Sequence, residues 1–472
     1  MTTPRGTLPS SPLAGVEDAG AGVSRGGLLR RESRALLLLA GPIVAAQLGQ
    51  VGMNTMDTIM VGPLGAEALA AVGLGAALHT AMLIISVGLL LGMSPLVSQA
   101  FGAGRRRRCR VVLVQGLWLA AAISVPVVWI NLEGQALSLR VGQGAELSAL
   151  AGGYMSALAP GVVPALLFIV FRQFLEGMSI AKPAMVITFL GLAVNFVANY
   201  VLIYGVEGYV PALGVVGCGW ATTIVRTAMI VAMAAYVIRR PDLHPFRGVA
   251  FLPRWPILVR VIAIGAPIGV QLGLEVGLFT FAAVMMGWLG TVELGSHQVT
   301  INIASTTFMV ALGVSLAGCV RVGRNIGGRD TDGARSAAVA TYLWTFGFMA
   351  LCALLFVSVP TFLVGLYTGD REILALAGKL LLVAALFQVF DGAQVAGLNV
   401  LRGAADTRVP MLLAALAYWG VGVPVAFYLG FRTELGPVGI WLGMCAGLAA
   451  AALLLGWRVY RLLWGARFRP VI

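Results

Sequence analysis

Three carboxylates stand inside long apolar runs of this sequence: Asp57, Glu275 and Asp391. Each has amides at helical spacing. Gln47, Gln50, Asn54 and Asp57 follow one another at intervals of three and four residues, which lines them up on one face of a helix. Gln388, Asp391 and Gln394 do the same, and Gln271 lies one turn before Glu275. Asn195 and Asn199 form an i, i+4 pair, as do Gln298 and Asn302. Carboxylate and amide oxygens are ligands for a hard cation such as Na⁺. A carboxylate removed from water also holds a proton more tightly, so such groups can carry H⁺ instead. The same negative sites attract organic cations, and two cations competing for one cavity give antiport. Met53, Met56 and Met60 flank Asp57 and would give such a cavity an adaptable wall. Interhelical hydrogen bonding accounts for the amide pairs equally well; the stripes that carry carboxylates call for more.

Helices in lipid are needed to position these groups. Of the 472 residues, 59% are hydrophobic and only 11% charged, against about 25% charged in a soluble domain. Stretches free of Asp, Glu, Lys and Arg recur along the chain, from 35–56 and 68–104 to 435–457. Two of them are interrupted only by Glu275 and by Asp391. A bilayer core takes about 20 apolar residues in a helix, so the sequence predicts an all-α polytopic membrane protein of about twelve transmembrane helices. Arg226 falls within the sixth. Charge sets the orientation. The net charge is +13, which in a soluble protein would point to nucleic acid. Here, with both termini placed in the cytoplasm, only Arg140, Arg371, Lys379 and Arg432 fall on the outer side. That is the positive-inside pattern of a multi-pass protein of the plasma (inner) membrane. The run Arg105–Arg108 reads as a topology anchor that also suits anionic lipid. Nucleic acid is not an expected partner; the lipid bilayer is.

The chain repeats itself at a constant offset. Pro42, Val51, Gly52, Thr55, Met60, Gly62, Leu64, Gly65 and Leu69 recur as Pro267, Val276, Gly277, Thr280, Met285, Gly287, Leu289, Gly290 and Leu294. Gly88 and Gly102 meet Gly313 and Gly327 in the same register. An even number of spans per repeat preserves orientation, so two pseudo-symmetric six-helix bundles are expected, related by an axis near the membrane normal and able to rock about a central cavity. The expected organisation is a disordered cytoplasmic tail over 1–27, an N-lobe over 28–238, a cytoplasmic linker over 239–260 and a C-lobe over 261–472.

Other function classes lack their chemistry. Cys109, Cys218, Cys319, Cys352 and Cys445 form no CxxC pair, and His79, His244 and His297 are scattered. No HExxH motif is present, and neither Lys182 nor Lys379 lies in a Walker A loop. Asp57 and Asp391 sit in opposite halves, which disfavours an intramembrane aspartyl protease. A carrier is expected rather than an enzyme, with no cofactor beyond its coupling ion.

Several segments together resemble the multidrug and toxic compound extrusion (MATE) family, in its NorM-like branch. They are Met56-Asp-Thr-Ile-Met-Val-Gly62, Glu176-Gly-Met-Ser179 with Lys182-Pro-Ala-Met-Val186, Gly214-Val-Val-Gly-Cys-Gly219, Ser296-His-Gln-Val299, Arg321-Val-Gly323 and Leu401-Arg-Gly403. The resemblance covers the chain from about Leu28 to Trp464. It implies two bundles in a V, alternating access, and export of cationic or amphiphilic compounds in exchange for Na⁺ or H⁺ by a monomer. It also implies that Asp57 is the acidic residue of the N-lobe with Asn195 and Asn199 as polar partners, and that Glu275 and Asp391 are the cation-site carboxylates of the C-lobe, ligands of Na⁺ if the exchange is sodium-coupled. One position departs: some NorM-like members carry Tyr four residues before the span 10 aspartate, where this chain has Phe387. The alternative within the same superfamily is a flippase for lipid-linked oligosaccharide or another lipid.

Overall fold

The computed structural model describes residues 24–244 and 248–465. Of the tail expected over 1–27, residues 1–23 lie outside the described residues, as do 245–247 of the expected linker. Twelve helices are long and apolar enough to cross a membrane. They are α1 (Arg25–Leu64), α2 (Ala66–Gly102), α3 (Arg106–Leu132), α4 (Ala145–Gly177), α5 (Lys182–Tyr204), α6 (Gly214–Arg239), α7 (Trp255–Leu289), α8 (Thr291–Gly327), α9 (Thr331–Ser358), α10 (Arg371–Gly403), α11 (Arg408–Phe431) and α12 (Pro437–Trp464). There is no strand among the described residues, as expected for an all-α membrane protein.

Local chemistry marks the ends. The Ser24 hydroxyl accepts from the Gly27 amide (3.2 Å), and the Asp330 and Asp370 carboxylates cap α9 and α10 in the same way. The turns after α1 and α7 pass through Gly65 (φ 109°) and Gly290 (φ 158°), which share a place in the repeat. Both lie where an L side chain is strained. The helices outrun the charge-free stretches: α1 starts at Arg25 and α7 at Trp255, inside the segments expected as tail and linker.

Each half buries its own apolar core. One gathers Leu90, Leu113, Phe174 and Met229; the other gathers Leu278, Phe356, Phe387, Tyr418 and Trp441. The first halves of α1 and α7 cross over. Leu36, Leu39 and Ile43 of α1 pack with Val314, Ala317 and Ala340 of α8 and α9. Leu258, Val261 and Ile268 of α7 pack in the core of the first half.

At this end the halves meet backbone to backbone. Gly88 and Gly92 of α2 lie against Gly269 and Gly265 of α7, two Gly-x-x-x-Gly patterns running antiparallel. The repeat is visible in the contacts themselves. Gly313 of α8 lies against Val44 of α1, taking the places of Gly88 and Gly269. Gly102 abuts the Arg324 carbonyl, and its repeat mate Gly327 abuts the Gln99 carbonyl. At the other end the same helices expose polar side chains: Gln50 and Asn54 on α1, Gln298, Asn302, Ser305 and Thr306 on α8. The seam is therefore closed at the end where α1 begins and opens into a polar cleft at the other.

Candidate functional site

In the first half, Asp57 is buried on α1 and receives donors from two other helices. Asn195 Nδ2 and Asn199 Nδ2 of α5 both donate to its Oδ1 (2.9 and 2.6 Å), and Thr222 Oγ1 of α6 donates to Oδ2 (3.2 Å). The i, i+4 spacing of the asparagines is what brings both amides to one oxygen. One turn beyond Thr222, Arg226 Nη1 bonds His79 Nε2 of α2 (3.0 Å), whose Nδ1 bonds Asn131 Oδ1 of α3 (2.8 Å). A guanidinium can only donate, so His79 accepts at Nε2 and carries its proton on Nδ1. Arg226 thus ends a chain of polar contacts across three helices and makes no ion pair among the described residues.

In the second half, Glu275 of α7 and Asp391 of α10 share an amide. Gln394 Nε2 donates to Glu275 Oε1 (3.2 Å) and to Asp391 Oδ1 (3.1 Å). Gln271 Nε2 donates to the other Glu275 oxygen (2.9 Å). Tyr418 Oη of α11 donates to Gln394 Oε1 (2.8 Å), which turns the amide so that its nitrogen faces both carboxylates. Tyr418 is fully buried in a π-helical stretch, Leu416–Gly422. The cause follows two residues later: Pro424 has no N–H to close an i→i−4 bond, and its ring crowds the carbonyl a turn before it. Among the described residues no three His, Cys, Asp or Glu side chains group as a metal cage. The oxygen donors here are two carboxylates, two amides and a phenol.

The remaining candidates go elsewhere. Gln47 accepts from Arg172 Nη2 of α4 (2.7 Å), which also pairs with Glu176 (2.7 Å). Gln50 and Asn54 are exposed at the open end of the seam. Gln388 is buried and donates to Thr307 of α8, away from Asp391's amide. The stripe on α1 is therefore divided among three surroundings.

A family model described as MatE matches residues 42–201 and again 267–428. This chain belongs to the MatE family. The two matches start at Pro42 and Pro267, the first pair of the internal repeat. Among the relatives of this MatE chain is a probable multidrug resistance protein NorM of Rhizobium meliloti (strain 1021). It is 38% identical over 440 residues, covering 91% of this chain and 93% of that protein. A protein of the same description from Mesorhizobium japonicum (strain LMG 29417 / CECT 9101 / MAFF 303099) is 39% identical over 448 residues, covering 93% and 95%. The fold is that of solved MATE structures. The eukaryotic MATE transporter AtDTX14 superposes with a TM-score of 0.84 at 20% identity, covering 93% of this chain and 97% of that one. This MatE chain is accordingly a multi-pass membrane transporter and not an enzyme.

Two features of this MatE chain depart from the sequence reading. Glu32 and Glu176, which lie outside the charge-free stretches, are buried: Arg321 grips Glu32 with Nε and Nη2 (3.0 and 2.8 Å), and Arg172 holds Glu176. Arg321 and Arg402, which the positive-inside pattern alone would place in cytoplasmic loops, lie inside α8 and α10 and are buried too. Thr222 and Tyr418 were missed. Thr222 stands one turn before the single charge inside its span, a signal that was available. Nothing in the sequence separates Tyr418 from a packing aromatic.

Proposed function

We propose that this protein is a secondary active exporter that exchanges organic cations or amphiphilic toxic compounds for Na⁺ or H⁺ by alternating access. The observation that carries this reading is Gln394 drawing Glu275 and Asp391 together inside the bilayer. Two carboxylates around one amide nitrogen in lipid call for a compensating cation, and a cation that must leave before the next enters is a coupling ion. Asp57 supplies a separate buried carboxylate in the other half, beside the face where Gln50 and Asn54 line the cleft. The cleft is open on the side that the charge bias places outside, which is where a substrate is released and a driving ion enters. The proposed setting is the inner membrane, with both ends of the chain cytoplasmic, an N-lobe and a C-lobe joined through residues 239–260, and a monomer as the working unit.

The test is efflux of ethidium from proteoliposomes with a Na⁺ gradient or a pH gradient imposed separately. Efflux driven by one gradient and lost at least tenfold in Asp391→Asn and in Glu275→Gln is the expected result and names the ion. Folded protein that responds to neither gradient overturns the reading and points to a lipid or glycolipid flippase.

A further inference from the structure

We infer that the groove between the start of α1 and α9 is a binding site for an anionic phospholipid of the cytoplasmic leaflet, formed only while the cytoplasmic ends of the two halves are together. The groove has a volume of about 580 Å³ and is walled by Leu37, Leu38, Leu343 and Trp344, with Arg30 and Arg34 at its upper end. The orientation proposed above places that end at the cytoplasmic surface.

Helical geometry sets which face α1 turns to the groove. Glu32, Leu36 and Leu39 are buried, and the bidentate grip of Arg321 on Glu32 fixes the rotation of this stretch. Arg30, Arg34, Leu37 and Leu38 then share the opposite, exposed face. Arg30 and Arg34 stand one turn apart and neither pairs with a carboxylate among the described residues. Their neighbour Arg31 differs, since it reaches Glu32 at 4.0 Å. From Arg34 to Leu38 the helix rises roughly 6 Å, the depth of the upper part of an acyl chain. Two guanidiniums at headgroup level above a short apolar trough match a phosphate diester that bears acyl chains. A zwitterionic lipid carries its own cation and gains less from them. α1 and α9 belong to opposite halves, so separation of these ends dismantles the trough. A lipid seated there favours the closed cytoplasmic end by linkage.

Trp344 in the wall gives the readout. The protein is reconstituted in phosphatidylcholine vesicles with one-fifth of the lipid replaced by brominated phosphatidylglycerol or by brominated phosphatidylcholine. The Trp344 signal is taken as wild type minus Trp344→Phe. We expect Trp344 to be quenched by the anionic lipid with about tenfold preference, the preference to fall to parity in R30Q/R34Q, and to persist in R30K/R34K. Equal quenching by the two lipids in wild type, or an undiminished preference in R30Q/R34Q, overturns the site. If that double variant does not fold, wild type in high salt makes the same comparison, and a preference unaffected by salt overturns the site as well. No transport is measured, so the outcome stands apart from that of the efflux test.

Discussion

The hydroxyl of Tyr418 decides which way the Gln394 amide points, and with it what the two carboxylates of the second half can hold. Phe387, where some relatives of the NorM type are expected to carry a hydroxyl, packs instead against Phe279 and Trp441 (ring centroids 6.0 and 5.5 Å). The phenol reaches the centre from α11 in place of α10. Removing one partner of a buried hydrogen bond costs about 1–3 kcal/mol, and 1.4 kcal/mol is about tenfold in an equilibrium. Tyr418→Phe should therefore raise the half-saturating concentration of the driving ion about tenfold while leaving that of ethidium nearly unchanged. An ion dependence identical to wild type would remove Tyr418 from the centre. At this scale the sequence exposes groups that are costly in lipid: Asp57, Glu275 and Asp391 stand out because no charge balances them nearby in the chain. Tyr418 does not stand out, because a tyrosine in a span is compatible with interfacial anchoring, with packing or with donation, and only the partner distinguishes them. The stripe on α1 shows the converse. Spacing lines Gln47 up with Asp57, but three turns separate them, and each turn meets a different neighbour.

Helix ends are the elements that composition reads least well. A run of residues free of charge marks where lipid begins, while a helix continues as long as its backbone bonds are satisfied. α1 therefore carries Arg30, Glu32 and Arg34 within its helical length, ahead of the apolar run. Charges at a span end look solvated in sequence, yet Glu32 is fully buried, because Arg321, 289 residues away, folds against it. That pairing is long-range and carries no local signature. Its energetic weight is considerable: stripping one partner from a buried ion pair costs about 3–5 kcal/mol through the charge left behind. Glu32→Gln should lower the thermal midpoint of the purified protein by several degrees and reduce efflux. The reversed pair E32R/R321E should recover a substantial part of both. Losses that simply add in the double variant would show that the two side chains act independently and that the pair does not tie α1 to α8. The GxxxG patterns on α2 and α7 belong to the same lesson from the other side. Small residues in the sequence announce close packing, but their partner across the seam is set by the fold.

The molecule as a whole is two copies of one plan, and the contacts at its closed end obey the offset seen in the sequence. Gly88 against Gly269 is repeated as Gly313 against Val44, and Gly102 against Arg324 as Gly327 against Gln99. Such a seam has one geometry when closed, because backbones touch with no side chain to yield. A Cβ at Gly88 would fall on the Gly269 backbone, and neither helix can move aside without parting the halves. Overpacking of this kind costs about 1–3 kcal/mol, enough to shift a two-state equilibrium roughly 5- to 150-fold. This contact borders the core of the first half, to which Leu90 of α2 and Ile268 of α7 both belong, so Gly88→Val should lower the thermal midpoint as well as open the cytoplasmic ends. The opening is measurable as a longer distance between spin labels placed at the ends of α2 and α8. It should also weaken the preference of Trp344 for anionic lipid, since the trough between α1 and α9 exists only while those ends meet. A variant that shows the wild-type distance would mean that the backbone contact at Gly88 does not set the closed end. A longer distance with the lipid preference intact would detach the groove from the seam.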